Sequence, residues 1–195
     1  MRYQQIKNIL DFLIALLFLI TTLPILFILM LLMILADRAS PLLKQVRVGK
    51  GRKEFKLYKL RTMQRSYPLY AVKPGRDDKK ITPLGRFLRN SGLDELPQLF
   101  NVLKGEMSFI GPRPEMPFLI KEYSEEELRR LLVKPGITGL WQISGKTDRP
   151  IRENIALDIY YVENISFKLD AAIFIKSLKF FLCNCASSAT ECLRG

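Results

Sequence analysis

Twenty-five consecutive uncharged residues, FLIALLFLITTLPILFILMLLMILA from Phe12 to Ala36, constrain this chain more than any other feature. About 20 apolar residues suffice to cross a bilayer, so the segment reads as membrane-embedded. It is too long for the apolar core of a signal peptide, and Asp37 and Arg38 follow it instead of small residues suited to cleavage. Pro24 stands near its centre, where it removes a backbone donor, clashes with the preceding turn and kinks the helix. Thr21 and Thr22 are spaced to hydrogen-bond carbonyls that the proline frees. Arg2 and Lys7 precede the segment and a far larger basic block follows it. Basic flanks stay cytosolic. Two topologies are therefore open: a kinked single span, and a re-entrant helix that bends at Pro24 and leaves by the face it entered. In both, the residues after 37 lie on the cytoplasmic side.

Between residues 38 and 89 there are 16 lysines and arginines against three acids, a local charge of +13 in a chain whose net charge is +12. The 195 residues suit one domain of ordinary size. Histidine is absent, which excludes Ser-His-Asp triads, Cys-His pairs and the usual zinc ligand sets. Catalysis must then use carboxylates, Lys, Arg, Tyr, Ser or Cys. Cys183, Cys185 and Cys192 crowd the end of the chain without completing a metal site, and read as reduced, structurally idle thiols.

The expected architecture is α+β, predominantly helical with a small β element. It divides into a membrane helix (1–37), a cytosolic domain (38–182) and a tail (183–195). Lys53–Met63 alternates apolar and basic residues and reads as a strand with one wet basic face. Residues 64–82 carry loop chemistry. TPLGRFLRN reads as a short helix capped by Thr82 with Pro83 in its first position. A second helix spans Asp94–Lys104, with Asp94 as its N-cap because Pro97 is tolerated only in the first turn. EMPFLIKEYSEEELRRLL gives a longer helical region, and VKPGITGLWQISGK reads as turns around a short extended segment. IRENIALDIYYVEN and FKLDAAIFIKSLKFFL have helical spacing. The last reads either as a helix on the membrane surface or as one packed on the core.

SGLDELPQLFNVLKGEMSFIGPRPE concentrates the chemistry-bearing side chains. An aspartate capping a helix would sit where free amides favour anions, next to a ready phosphate site. The plainer alternative is an ordinary cap with a solvated Glu95 beside it. Arg113, between two prolines, has a backbone of little freedom and a guanidinium suited to grip a phosphate with two hydrogen bonds. Its plainer alternative is a rigid surface loop. Lys59 and Arg61 share one face of the expected strand, and Arg86 and Arg89 one face of the short helix. With Arg113 they form either an electropositive basin for a polyphosphate or a face resting on anionic headgroups. Asp158 and Asp170 read as salt-bridge or cap residues.

FKLYKLRTM, LDELPQLFNVLKGEMSFIGPRP, KPGITGLWQISGK and LDIYYVENISFKLD, in this order behind an apolar N-terminus, closely resemble the bacterial sugar transferase family, the monotopic phosphoglycosyl transferases. The resemblance runs from about Tyr3 to Leu182. It implies transfer of a sugar-1-phosphate from a UDP-sugar to a membrane polyprenol phosphate such as undecaprenyl phosphate, the step that starts a surface glycan at the cytoplasmic membrane of a bacterium. It implies that Asp94 attacks the phosphate next to the sugar and that Glu95 assists proton removal. Asp94 and Glu95 would also organise a Mg²⁺ site. Arg113 matches the phosphate-binding arginine, and Lys59, Arg89 and Asp158 match other polar positions of the active site. A re-entrant helix broken at Pro24 is implied as well.

The chain departs from the family pattern at three places. Leu23 precedes Pro24 where some members carry serine. Lys146 stands where arginine is common among nucleotide contacts, and cannot supply the planar fork. The residues after Leu182 match no part of the pattern. GLWQISGK leans towards the subgroup that transfers hexose-1-phosphates such as galactose or glucose. The competing reading is a non-catalytic, membrane-anchored basic module that binds nucleic acid or anionic lipid. It leaves the Asp-Glu pair and the Pro-Arg-Pro arginine without a role. No aromatic stacking motif or recognition helix supports nucleic acid as a partner.

Overall fold

In the computed structural model, residues 2–37, 40–68, 80–145 and 150–192 are described. Helix α1, Arg2–Asp37, runs without a break through Pro24. The Thr21 hydroxyl donates to the carbonyls of Leu17 and Phe18, and Thr22 donates to Phe18. The accepting carbonyls lie two and three residues before that of Ile20, the one facing Pro24's missing donor. The threonines therefore do not replace the proline's missing donor as the sequence suggested. They back-bond within the preceding turn, which bends helices slightly.

One face of α1 is protein and the rest is not. Lys7, Asp11, Ala15, Leu26, Leu29 and Met33 are buried, with Leu19, Thr22 and Met30 half-buried between them. Steps of three and four residues keep this stripe on one side of the helix from end to end. It spans roughly 40 Å at about 1.5 Å per residue. Around the remaining circumference Phe12, Leu17, Ile20, Leu23, Phe27 and Leu35 are exposed.

Strand β1, Leu42–Val48, pairs antiparallel with β2, Glu54–Leu60, placing Leu42 opposite Leu60 and Val48 opposite Glu54. The sequence announced only the second of these strands. Phe55 and Leu57 of β2 pack with Ala15, Leu99, Val102 and Met107 in one core cluster. Alternation then carries Lys59 onto that same inward face. The wet face expected for this strand belongs to Glu54 and Lys56, both exposed, and not to Lys59.

Helix α2, Pro83–Asn90, begins as its sequence predicted: the Thr82 hydroxyl accepts from the Gly85 amide at 2.9 Å and Pro83 occupies the first turn. Leu88 joins Leu26, Leu29, Met33 and Leu60 in a second cluster. A 3-10 turn, Leu93–Glu95, leads to α3, Gln98–Leu103. Strand β3, Ser108–Ile110, pairs in parallel with β4, Gly136–Thr138, the short extended segment anticipated in KPGITG.

The expected long helix over EMPFLIKEYSEEELRRLL is three short pieces: α4 Pro117–Ile120, α5 Glu125–Leu128 and a 3-10 turn Arg129–Leu132. The restart has a local cause. Ser124 accepts from the Glu127 amide while the Glu127 carboxylate accepts from the Ser124 amide, a reciprocal cap that opens a new helix. Helices α6, Leu140–Ile143, α7, Ile155–Glu163, and α8, Phe167–Cys192, complete the chain. Ile110, Val133, Tyr161 and Ile173 form the third cluster. The backbone of α8 continues past Leu182, while the side chains of Cys183, Cys185 and Cys192 lie outside the described part. The result is mostly helical with two small sheets.

Candidate active site

Gly92 adopts φ 63°, the left-handed conformation that glycine takes without a Cβ penalty. This reversal after α2 leads into the 3-10 turn that carries Asp94 and Glu95. Asp94 is therefore not the N-cap of a helix. Pro97 holds that position for α3, without a side-chain capping bond. The aspartate carboxylate, relieved of capping, points instead to β2. Asn101 sets the distance between the two elements. Its amide donates to the Lys56 carbonyl at 2.8 Å and its oxygen accepts from the Tyr58 amide at 3.1 Å, while the Glu106 carboxylate takes its second proton at 2.7 Å. Asn101 is fully buried and acts as a substitute strand against β2. Sequence reading passed over it, because one asparagine in a helix carries no local signal.

Lys59 Nζ lies 2.6 Å from Asp94 Oδ2 and 3.7 Å from Glu95 Oε1. Arg113 reaches to within 3.8 Å of the same Glu95 oxygen. Asp94 is buried, with 2% relative exposure. Its Oδ2 makes no aligned hydrogen bond within the protein, so the lysine contact is an ion pair without that geometry. Burial pushes the Asp94 pKa up, and the Glu95 charge adds to this. Lys59 and, less strongly, Arg89 pull it down without cancelling the desolvation. Side chains of Lys59, Glu95 and Arg113 remain 25%, 25% and 32% exposed. A buried carboxylate thus meets solvent through a rim of charged groups.

Arg89 is held from behind: its Nε donates to the Thr62 hydroxyl at 2.7 Å. The Thr62 carbonyl also accepts the Thr82 amide at 3.1 Å. A Cβ on Gly85 would come within 2.1 Å of that carbonyl, so only glycine lets α2 approach the segment after β2 so closely.

The Pro112–Glu115 backbone is tied at four successive carbonyls by three different elements, β4, the Arg129–Leu132 turn and β1. Pro112 accepts from the Gly136 amide at 2.9 Å, Arg113 from the Arg130 guanidinium at 2.6 Å, Pro114 from Arg47 at 3.4 Å and Glu115 from the Val48 amide at 2.9 Å. The Arg113 guanidinium lies 5.8 Å from the Trp141 ring centre, within cation-π range. Proline torsions alone do not restrain this arginine. The loop is anchored along its length.

Asp158 enters the site through another residue. Its Oδ2 accepts from Arg130 Nε at 2.9 Å and is paired with Arg130 NH2 at 2.8 Å, both side chains being almost completely buried. That same NH2 holds the Arg113 carbonyl. Asp158 thereby orients Arg113 from behind, and Arg130, unremarked in the sequence, links them. Arg61 turns elsewhere. Its Nε donates to the Ser40 carbonyl at 3.1 Å, so the shared face expected for Lys59 and Arg61 does not bring both to Asp94. Lys146 lies outside the described residues.

Asp94 and Glu95 are adjacent carboxylates, and among the described residues no group of three or more His, Cys, Asp or Glu is placed to hold a metal. This donor set does not suit an all-protein cage. It does suit Mg²⁺, which binds through one or two carboxylates and completes its octahedron with water and substrate phosphate.

Residues 2–184 match the model of the bacterial sugar transferase family, and the chain belongs to that family. It is 46% identical over 107 residues to the undecaprenyl-phosphate galactose phosphotransferase of Salmonella typhimurium, covering 55% of this chain and 22% of that protein. It is 35% identical over 182 residues to the UDP-galactose-lipid carrier transferase of Erwinia amylovora, covering 85% of this chain and 38% of the other. The sugar transferase EpsL of Bacillus subtilis is 38% identical over 175 residues, covering 89% of this chain and 86% of EpsL. The chain thus spans well under half the length of the first two relatives and most of the third.

Proposed function

We propose that this protein transfers a sugar-1-phosphate from a UDP-sugar to a polyprenol phosphate such as undecaprenyl phosphate, through a covalent ester on Asp94. The observation that carries this reading is the buried Asp94 carboxylate on Lys59, which also approaches Glu95, with Arg113 reaching the same Glu95 oxygen. Two relatives are named for galactose phosphotransfer or for UDP-galactose and a lipid carrier, which favours a hexose-1-phosphate as the group moved.

In the first half-reaction a carboxylate oxygen of Asp94 attacks the phosphorus next to the sugar. The new oxygen–phosphorus bond forms as the bond to UMP breaks, and UMP leaves with the electron pair. In the second, an oxygen of the lipid phosphate attacks the same phosphorus and frees Asp94, leaving a polyprenyl diphosphate sugar. Glu95 takes the proton of any protonated acceptor. A carboxylate attacking an anionic diphosphate meets charge repulsion. Lys59, Arg89 and Arg113 oppose it, and Lys59, already on Asp94, has only to shift to the incoming phosphate. Mg²⁺ held by Asp94 and Glu95 would supply further charge neutralisation. One site used twice in turn suits a soluble donor and a membrane-bound acceptor.

The membrane arrangement we favour has the unbroken α1 embedded in one leaflet without crossing it, with the catalytic residues on the cytoplasmic side. Helix α1 is long and apolar enough to cross a bilayer. Its buried stripe, however, touches the rest of the protein from Lys7 to Met33. A helix spanning along its own axis would carry the hairpin and its lysines into hydrocarbon, at a cost of about 3 kcal/mol or more for each charge. Shallow insertion of the outward faces avoids this. It also leaves Asp94 at the depth of lipid phosphates.

The test uses the full chain in detergent or nanodiscs with a panel of UDP-sugars, undecaprenyl phosphate and Mg²⁺, following UMP release. Release that requires the lipid and Mg²⁺, with a sugar-phosphate adduct on the Asp94 peptide by mass spectrometry, is the expected result. Absence of UMP from every donor would sink the reading.

A further inference from the structure

Away from Asp94, at the other end of β2, the N-terminal turn of α1 meets the β1–β2 turn and the segment leading into β4. A cavity of about 30 Å³ opens there, with Gln4, Lys7, Asn8, Lys50, Ser108 and Lys134 in its lining. Strand β2 separates it from Lys59 by roughly 20 Å at about 3.3 Å per residue. It is therefore not an extension of the dyad's basin.

Three lysines from three separate elements converge on this space, and their roles differ. Lys7 is committed: its ammonium lies 2.7 Å from Asp170 and 3.9 Å from Asp11. Ser108 is committed too, since its hydroxyl donates to the Ile110 carbonyl. Lys50 and Lys134 have no carboxylate within ion-pair distance among the described residues. Burial holds the Lys134 pKa below the usual lysine range, and Lys50 and Lys7 push it the same way, with only Asp11 opposing. Ammoniums gathered around a partly desolvated cavity repel one another. An anion between them would reverse the sign of that interaction.

The size of the cavity limits the anion. At about 10–15 Å³ per water-sized occupant, it has room for two or three oxygens, enough to seat one face of a phosphate whose remainder points out of the opening, and none for a sugar ring or a nucleobase. Its position adds a second constraint. Gln4, Lys7 and Asn8 immediately precede the apolar run that starts at Phe12, the level at which headgroup phosphates are concentrated. Lysine binds phosphate as a point charge, and the Gln4 and Asn8 amides supply further donors.

We propose that this cavity is a second anion site, independent of Asp94, which takes one phosphate group between Lys50 and Lys134, either from a phospholipid headgroup or as free phosphate. Site-resolved lysine acylation, read by peptide mass spectrometry on the full chain in non-ionic detergent, tests it. The probes are inorganic phosphate and a short-chain phosphatidylglycerol. Labelling of Lys50 and Lys134 should fall together, several-fold, while the exposed Lys121 is unchanged. Protection by the lipid alone identifies a headgroup site, and protection by inorganic phosphate identifies a free-anion site. Lys50→Ala, an exposed change that leaves the core intact, should abolish protection at Lys134, and Lys134→Ala should do the same at Lys50. Unchanged labelling with both probes, or an equal fall at Lys121, overturns the proposal.

Discussion

Asp94 and Asp158 are both buried carboxylates next to a cation, and burial pushes the pKa of each above the ordinary aspartate value. Their surroundings differ in one respect. Asp158 is matched to Arg130, a partner with 1% relative exposure that bonds it through two nitrogens and spends a third contact on the Arg113 backbone. Asp94 is matched to Lys59, which stays a quarter exposed and lies beside Glu95 on a charged rim. The first pair is closed, with no room for a substitute. The second leaves its counter-charge open to solvent, as the nucleophilic role proposed for Asp94 requires. Burial is common to the two carboxylates. Access of its partner to solvent separates the two.

The comparison can be broken most decisively at Asp94. Asp94→Asn should lower UMP release by about 10⁴-fold or more, as loss of a covalent nucleophile does, and leave a folded protein. An equal loss in Asp158→Asn with stability intact would erase the distinction.

Next in size is Asp158→Asn itself, which leaves Arg130 buried without a counter-charge. A loss of about 3–5 kcal/mol in a denaturant titration is expected. Replacing the pair together, Arg130→Met with Asp158→Leu, should restore most of that stability. It should still slow transfer, because the Arg113 carbonyl has lost its donor. Full activity in the double variant would show that Arg113 needs no support from behind.

Arg113→Lys keeps the charge but removes the two-pronged grip and the flat face over Trp141. A fall of about 100-fold in kcat/KM is expected, with no change in thermal stability.

The smallest effect sharpens the electrostatics. Because the folded-state pKa of Asp94 lies above its unfolded value, the ionised carboxylate costs stability at neutral pH, and the wild type regains it as pH falls through that raised pKa. Asp94→Asn should therefore raise Tm at pH 7. The gain should shrink towards acid pH in parallel scans of the two proteins. A Tm gain that persists unchanged at low pH would point to a cause other than ionisation.

How much of this was legible in the residues varies with the range of the interaction. The apolar run from Phe12, the Thr82 cap with Pro83 and the short strand in KPGITG are written in adjacent residues. Torsions and hydropathy act over a few positions, so local sequence suffices for them. The family pattern also named Asp94, Glu95, Arg113 and Lys59. The helix expected to start at Asp94 failed on equally local grounds: Gly92 and Pro97 together favour a separate turn before α3.

What remained for tertiary structure were the partners. With 16 basic residues between 38 and 89, no spacing rule selects Lys59 for Asp94, turns Arg61 to the Ser40 carbonyl, or assigns Asp158 to Arg130 and through it to Arg113. Charge pairing decays steeply with distance and desolvation, so it is decided by which side chains the packed cores bring within a few ångströms. The sequence by itself determined a membrane-seeking helix, a basic domain and the residues from which a phosphate site can be made. Only the packing of α1, β2 and α3, clamped by Asn101, decided which carboxylate is buried, which cation faces it and which side of the long helix is left for lipid.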